Sequence, residues 1–168
     1  DLLEQEGLIR DQHILSRVQE RTKGLINLVE DLLDLSRLEA GAAYQEVQDV
    51  HVEKVLPQLV TYLQDQAQEK DQELSLSLPQ GRVDPVQADP KALESVFNNV
   101  ISNALKYTPE QGRVEVTLDA EQPGWLILRV ADNGYGIDEN EQTRIFERFY
   151  RVKDEKTRFI TGSGLGLP

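Results

Sequence analysis

The sequence predicts an α+β chain, in which the long helix of a dimerising helical hairpin is followed by an α/β sandwich with a mixed sheet. Three observations predict it. Apolar residues run in two adjacent stripes at helical spacing through residues 11–40. Gly41-Ala42-Ala43 then breaks the pattern. Beyond the break, period-two segments and helical segments mix without strict alternation, as in a mixed sheet covered by helices.

The first stripe of the long helix is Val18, Leu25, Leu28, Leu32 and Leu35, with Arg21 as its polar break. The second runs beside it through Thr22, Ile26, Val29 and Leu33. A helix with two stripes is too apolar for a two-stranded seam, and it suits a hairpin that dimerises into a four-helix bundle. The alternative is a buried helix of a monomeric globule. Residues 1–5 read as the end of a preceding helix, with Glu6-Gly7 as its turn. Glycine commonly stops a helix, so Gly41 closes a partial dimerisation segment, 1–41, and 42–168 form the second domain.

Within that domain, Val55, Leu56, Leu59, Leu63 and Ala67 predict a helix over 53–70. Leu74, Leu76 and Leu78 alternate as a half-buried strand should. Asp89-Pro90 starts a helix, with an acceptor cap before a first-turn proline. That helix runs through Leu93, Val96, Phe97, Val100, Ile101 and Ala104 until Pro109 stops it. Val114, Val116 and Leu118 make a strand, and Leu126, Leu128 and Val130 the next, with Gln122-Pro123-Gly124 turning between them.

Composition narrows the function. A net charge of -12 disfavours nucleic acid, whose phosphates repel an acidic surface. The exception is residues 144–158, where Arg144, Arg148, Arg151, Lys153, Lys156 and Arg158 outnumber Glu147, Asp154 and Glu155. A basic island in an acidic chain points to a local anionic ligand. Without cysteine there is no disulfide and no thiolate metal site. His13 and His51 are too far apart in sequence to suggest a zinc site. No apolar run approaches the roughly 20 residues of a membrane span, so the expectation is a cytoplasmic domain, attached to a membrane only through segments outside this sequence.

Three segments carry candidate chemistry, and a fourth accompanies them. Asn99, Asn103 and Lys106 share one face of the 90–107 helix. Amide oxygens suit Mg²⁺, and a lysine supplies a mobile charge for phosphate oxygens. Asp132 ends a strand and opens a turn whose Gly134 and Gly136 permit close approach of a ligand. Its carboxylate accepts hydrogen bonds only, so it can take one from the amine of adenine and would repel the carbonyl of guanine. Gly162-Ser163-Gly164-Leu165-Gly166-Leu167 offers backbone N–H groups to phosphates. It is not a P-loop, because no Gly-Lys-Ser/Thr closes it. Ile145 to Arg151 combines apolar residues with arginines and reads as a short amphipathic helix. Taken one at a time, these segments also fit a solvated helix face, an ordinary turn and a linker. Together and in this order they describe a site for Mg·ATP.

That order resembles the ATP-binding domain of sensor histidine kinases, of the Bergerat type, over nearly the whole chain. Asn99 to Pro109 looks like the N box, Asp132 to Ile137 the G1 box, Phe146 to Arg151 the F box, and Gly162 to Gly166 the G2 box. Asp31 to Gly41 is similar to the end of the family's second dimerisation helix. The resemblance implies that Asn103 is the Mg²⁺ ligand, with Asn99 beside it. It implies that Lys106 and Tyr107 contact phosphate or ribose and that Asp132 binds adenine. Gly134, Gly136, Ile137, Phe146, Arg148, Phe149, Arg151, Gly162, Ser163, Gly164, Leu165, Gly166 and Leu167 complete the expected nucleotide site. Val152 to Thr161 becomes a mobile lid.

The family's phosphoacceptor histidine is followed by an acid. His13 is followed by Ile14-Leu15-Ser16-Arg17, and His51 by Val52-Glu53-Lys54. Both are read as surface or packing histidines, with no catalytic residue in the chain and the phosphoacceptor expected upstream of Asp1. A further helix and strands are expected beyond Pro168, so the resemblance implies truncation at both ends. The implied function is transfer of the ATP γ-phosphoryl group to that histidine, then to a response regulator receiver domain, within a homodimer formed by the N-terminal helices. An ATP-operated clamp or chaperone of the same nucleotide fold, or a non-catalytic nucleotide sensor, are the alternatives.

Overall fold

The computed structural model describes residues 46–152 and 154–168, together with positions 14, 15, 18, 21, 22, 24–26, 28, 29, 32, 33 and 36. All of those early positions are helical and exposed, as the apolar spacing predicts. Val18, Leu25, Ile26, Val29, Leu32 and Leu33 are each more than half exposed. Leu35 and His13 lie outside the described residues.

The remaining elements are β1 (Gln48–Val50), α1 (Val52–Gln68), β2 (Glu73–Ser77), β3 (Val86–Ala88), α2 (Pro90–Tyr107), β4 (Arg113–Asp119) and β5 (Ile127–Asp132). A three-residue 3₁₀ turn follows at Arg144–Phe146. β2 pairs parallel with β4, and β4 antiparallel with β5, giving the expected mixed sheet in the order β2-β4-β5. β1 and β3 form a separate antiparallel pair. Sequence reading does not find these two strands, because three residues are too few to display a period. Among the described residues, no helix is long and apolar enough to cross a membrane.

Alternation decides which face of the sheet is covered. Val114, Val116 and Leu118 of β4 are almost fully buried, while Arg113 and Glu115, on the alternate positions, are exposed and pair at 3.1 Å. Leu56, Leu59, Leu63 and Ala67 of α1 and Phe97, Ile101, Ala104 and Leu105 of α2 close the core over them. Leu78 and Leu126, predicted as strand residues, fall just outside the observed β2 and β5, though Leu126 still packs on the core.

α2 has defined ends. The Asp89 carboxylate accepts from Lys91 N at 2.9 Å and Ala92 N at 3.2 Å. Such a cap contributes about 1 kcal/mol, and Pro90 occupies a first-turn position where a missing N–H costs nothing. At the other end Thr108 leaves helical geometry ahead of Pro109.

Candidate functional site

The polar face of α2 forms one wall of the site. Asn99 and Asn103 are half-buried on it, and Lys106 and Tyr107 occupy its last turn, Lys106 exposed and Tyr107 half-buried. The turn after β5 packs against this last turn. Tyr135 N donates to Tyr107 O at 3.1 Å. A Cβ on Gly134 would stand 2.4 Å from that same oxygen, so only glycine lets the turn come this close. Asp132 is exposed, and its carboxylate bends the turn by accepting from Gly134 N at 2.9 Å.

Asn133 belongs to the fold. Its amide oxygen accepts from Arg113 N at 2.7 Å and its own N donates to Arg113 O at 3.2 Å, tying the turn to the start of β4. Sequence reading passes over this residue, because Asp-Asn-Gly reads as a turn whatever its asparagine does.

The Gly-rich segment reaches the site from the opposite side. A Cβ on Gly166 would stand 3.0 Å from Asn99 Oδ1, which puts this segment against the α2 face. Gly164 has φ +75, and a Cβ there would meet Phe149 C and Tyr150 O at 2.8 Å. Phe149 N donates to Gly164 O at 2.9 Å. Ser163 Oγ accepts from Leu165 N at 3.2 Å. Three close approaches therefore join all four predicted segments: Gly134 to Tyr107, Gly166 to Asn99, and Gly164 to Phe149 and Tyr150. Gly136 and Gly162 make no such approach, and Ile137 and Leu167 are exposed.

The 145–151 segment departs from expectation. It is not an amphipathic helix, since helical geometry ends at Phe146. Phe149 adopts φ +62, which a bulky side chain rarely takes, while its N–H is held by Gly164. Phe146 and Phe149 are exposed. Arg144 stacks 4.1 Å from the centre of the Tyr150 ring, and Arg158 4.5 Å from that of Phe159. Arg144 also pairs with Glu141 at 3.7 Å and Glu147 at 3.8 Å. Tyr150 donates its hydroxyl to Glu141, which raises the tyrosine's ionisation above its ordinary value; burial adds to this and Arg144 opposes it. Arg151 donates to Ile160 O, so it ties together the two ends of the predicted lid. Arg148 is exposed. Lys153 lies outside the described residues.

His51 immediately precedes α1, and its Nδ1 stands 3.0 Å from Glu53 Oε1. A groove of about 630 Å³ lies between α1 and the first half of α2, lined by Val55, Gln58, Tyr62, Lys91 and Glu94 among others. None of the candidate nucleotide residues lines it.

Residues 88–168 match the family described as histidine kinase-, DNA gyrase B-, and HSP90-like ATPases. The chain is 35% identical over 159 residues to the circadian input-output histidine kinase CikA of Synechococcus elongatus. That alignment covers 94% of this chain and 21% of CikA, so the chain spans about a fifth of its relative's length. The crystal structure of full-length ShkA in complex with AMPPNP superposes with a TM-score of 0.69 at 33% identity, covering 85% of this chain and 29% of that one. The mycobacterial sensor histidine kinase MprB superposes with a TM-score of 0.54 at 31% identity, covering 73% of this chain and 72% of that one. The chain belongs to the sensor histidine kinase family. Its α/β sandwich is the histidine kinase type of ATPase domain, and the four segments joined above lie wholly within or overlap the matched region 88–168.

Proposed function

We propose that this chain supplies the dimerisation helix, within residues 1–41, and the ATP-binding domain, 42–168, of a sensor histidine kinase. The domain takes Mg·ATP. Its γ-phosphoryl group passes to a histidine that is neither His13 nor His51, and then to a response regulator receiver domain. The observation that supports the reading is the joining of the four segments by close approaches that only glycine allows, Gly134 and Gly166 against α2 and Gly164 against Phe149 and Tyr150.

The residues suit the group they would hold. Asn103 and Asn99 offer neutral amide oxygens, the donor type Mg²⁺ accepts alongside water. When bound, Mg²⁺ neutralises charge on the phosphate oxygens. Asp132 accepts a hydrogen bond from the adenine amine. Lys106 and Tyr107 face the phosphates or ribose, the 162–167 backbone donates to phosphate, and Arg148 and Arg151 contribute from the lid. Phosphoryl transfer needs positioning and electrostatics more than covalent help, and this wall and cover provide both. Homodimerisation buries the apolar stripe of Leu25, Leu28 and Leu32, since a run of exposed leucines on one helix marks an interaction face.

Calorimetry on the 168-residue chain should show binding of Mg·ADP and not of Mg·GDP. Incubation with Mg·ATP should leave no acid-labile phosphate on His13 or His51. Equal affinity for the two nucleotides would defeat the adenine assignment, and phosphate on either histidine would defeat the assignment of the acceptor.

A further inference from the structure

The last turn of α2 is gripped from behind by two side chains outside every segment discussed so far. A helix end leaves its final carbonyls without intrahelical partners. Here Gln72 Nε2 lies 3.1 Å from Leu105 O, 2.6 Å from Thr108 O and 3.2 Å from Pro109 O. Lys70 Nζ donates to Leu105 O at 2.8 Å and stands 3.3 Å from Lys106 O. Gln72 is 5% exposed. Its orientation follows from its surroundings, because turning the amide over would aim its oxygen at three carbonyl oxygens.

The backbone around these side chains is also stitched to the neighbouring turn. Gln111 N donates to Lys70 O at 3.1 Å, and Glu73 N to Gly112 O at 2.9 Å. Burial lowers the basicity of the Lys70 ammonium, with Glu110 opposing and Lys106 adding to the effect. On the front side, the same turn of α2 receives Tyr135 N and Gly134 at Tyr107 O. The α2 end thus joins the Asp132 turn to the face carrying Asn103 and Lys106.

We infer that Gln72, with Lys70 beside it, is a positioning residue that sets the Asp132 turn and the Asn103–Lys106 face at the spacing an intact Mg·nucleotide requires. This rests on the nucleotide reading above. Neither residue contacts the ligand. A ligand that reaches only the Asp132 turn does not sense the spacing, whereas one that bridges to the cation and phosphates does.

The test compares Mg·ADP, by calorimetry, with adenosine, by NMR titration, on the 168-residue chain and its variants. Gln72→Glu keeps the shape and loses the donor. Lys70→Met keeps the stem and loses the charge at a half-buried site that tolerates it. Both should weaken Mg·ADP by about 5- to 30-fold, the scale of one to two net hydrogen bonds, and leave adenosine within about twofold. Gln72→Leu should do the same, and if it fails to fold the other two variants decide. Equal losses for both ligands, or no loss for either, would overturn the inference and leave these residues as structural only. The unmodified chain separates this from the broader reading: if it binds neither ligand, the nucleotide assignment fails and the positioning role falls with it.

Discussion

The wall of the site made by α2 and the Asp132 turn rests on buried side chains, whereas residues 141–168 hold their shape through contacts near the surface. Beneath the wall, Ile101 and Val114 have no solvent access and Leu105 has little. Behind it, Gln72 and Lys70 occupy the helix-end carbonyls. In the cover, Phe146, Phe149 and Phe159 are each at least 60% exposed. Its order comes from the Glu141–Tyr150–Arg144 cluster, from Arg151 on Ile160 O, and from Phe149 N on Gly164 O. The difference teaches how such a site divides its work. The wall is held by side chains withdrawn from water, and the cover by contacts that water can replace.

The largest contrast is in stability. Ile101→Ala removes a fully buried side chain beneath the wall and should cost about 2–5 kcal/mol. Phe146→Ala removes an exposed one from the cover and should stay within about 0.5 kcal/mol. Urea unfolding measures both, and equal costs would erase the distinction between wall and cover.

Next comes the ligand contact proposed for the wall, Asp132. Hydrogen bonds to charged groups contribute about 1.5–3 kcal/mol, so Asp132→Ala should weaken ADP by roughly 10- to 150-fold. Asp132→Asn should lose less, because an amide oxygen still accepts and can keep the bond from Gly134 N. Calorimetry with ADP reads both, and an unchanged affinity in Asp132→Ala would remove adenine from the wall.

The cover should act on phosphates alone. Replacing Arg148 and Arg151 by Ala should weaken ATP more than adenosine, by a margin that shrinks as salt screens the charges. Part of the loss arises because the Arg151 tie to Ile160 O goes too. Equal losses at every salt concentration would make the segment a structural support.

The smallest effect is a titration. The hydrogen bond to Glu141 holds the Tyr150 proton in the folded chain, so the folded-state value lies above the unfolded value near 10. The contact's contribution to stability is complete below about pH 10 and is lost as pH climbs through the raised value. Tyrosinate absorbance should show one late-titrating residue, absent in Tyr150→Phe. A curve of unchanged shape in that variant would place Tyr150 outside the cluster.

Periodicity alone determined α1, α2, β4 and the mixed α/β class, because burial on one face imposes a period that composition displays directly. Asp89-Pro90 and Pro109 marked the ends of α2 for equally local reasons. The four candidate segments were legible in sequence as segments, since glycines, a turn aspartate and helix-face asparagines each carry their own chemistry. Only the tertiary structure decided which of them meet. It stacked Arg144 on Tyr150, ended the 145–151 helix at Phe146, and gave Asn133 to the start of β4. Gln72 is the clearest case. Nothing in Asp71-Gln72-Glu73 signals a buried donor, because its partners lie 33 to 37 residues away and are backbone carbonyls, which every residue has. A side chain that recognises another residue's type leaves a pattern in sequence, while one that recognises the end of a helix becomes visible only once the helix is in place.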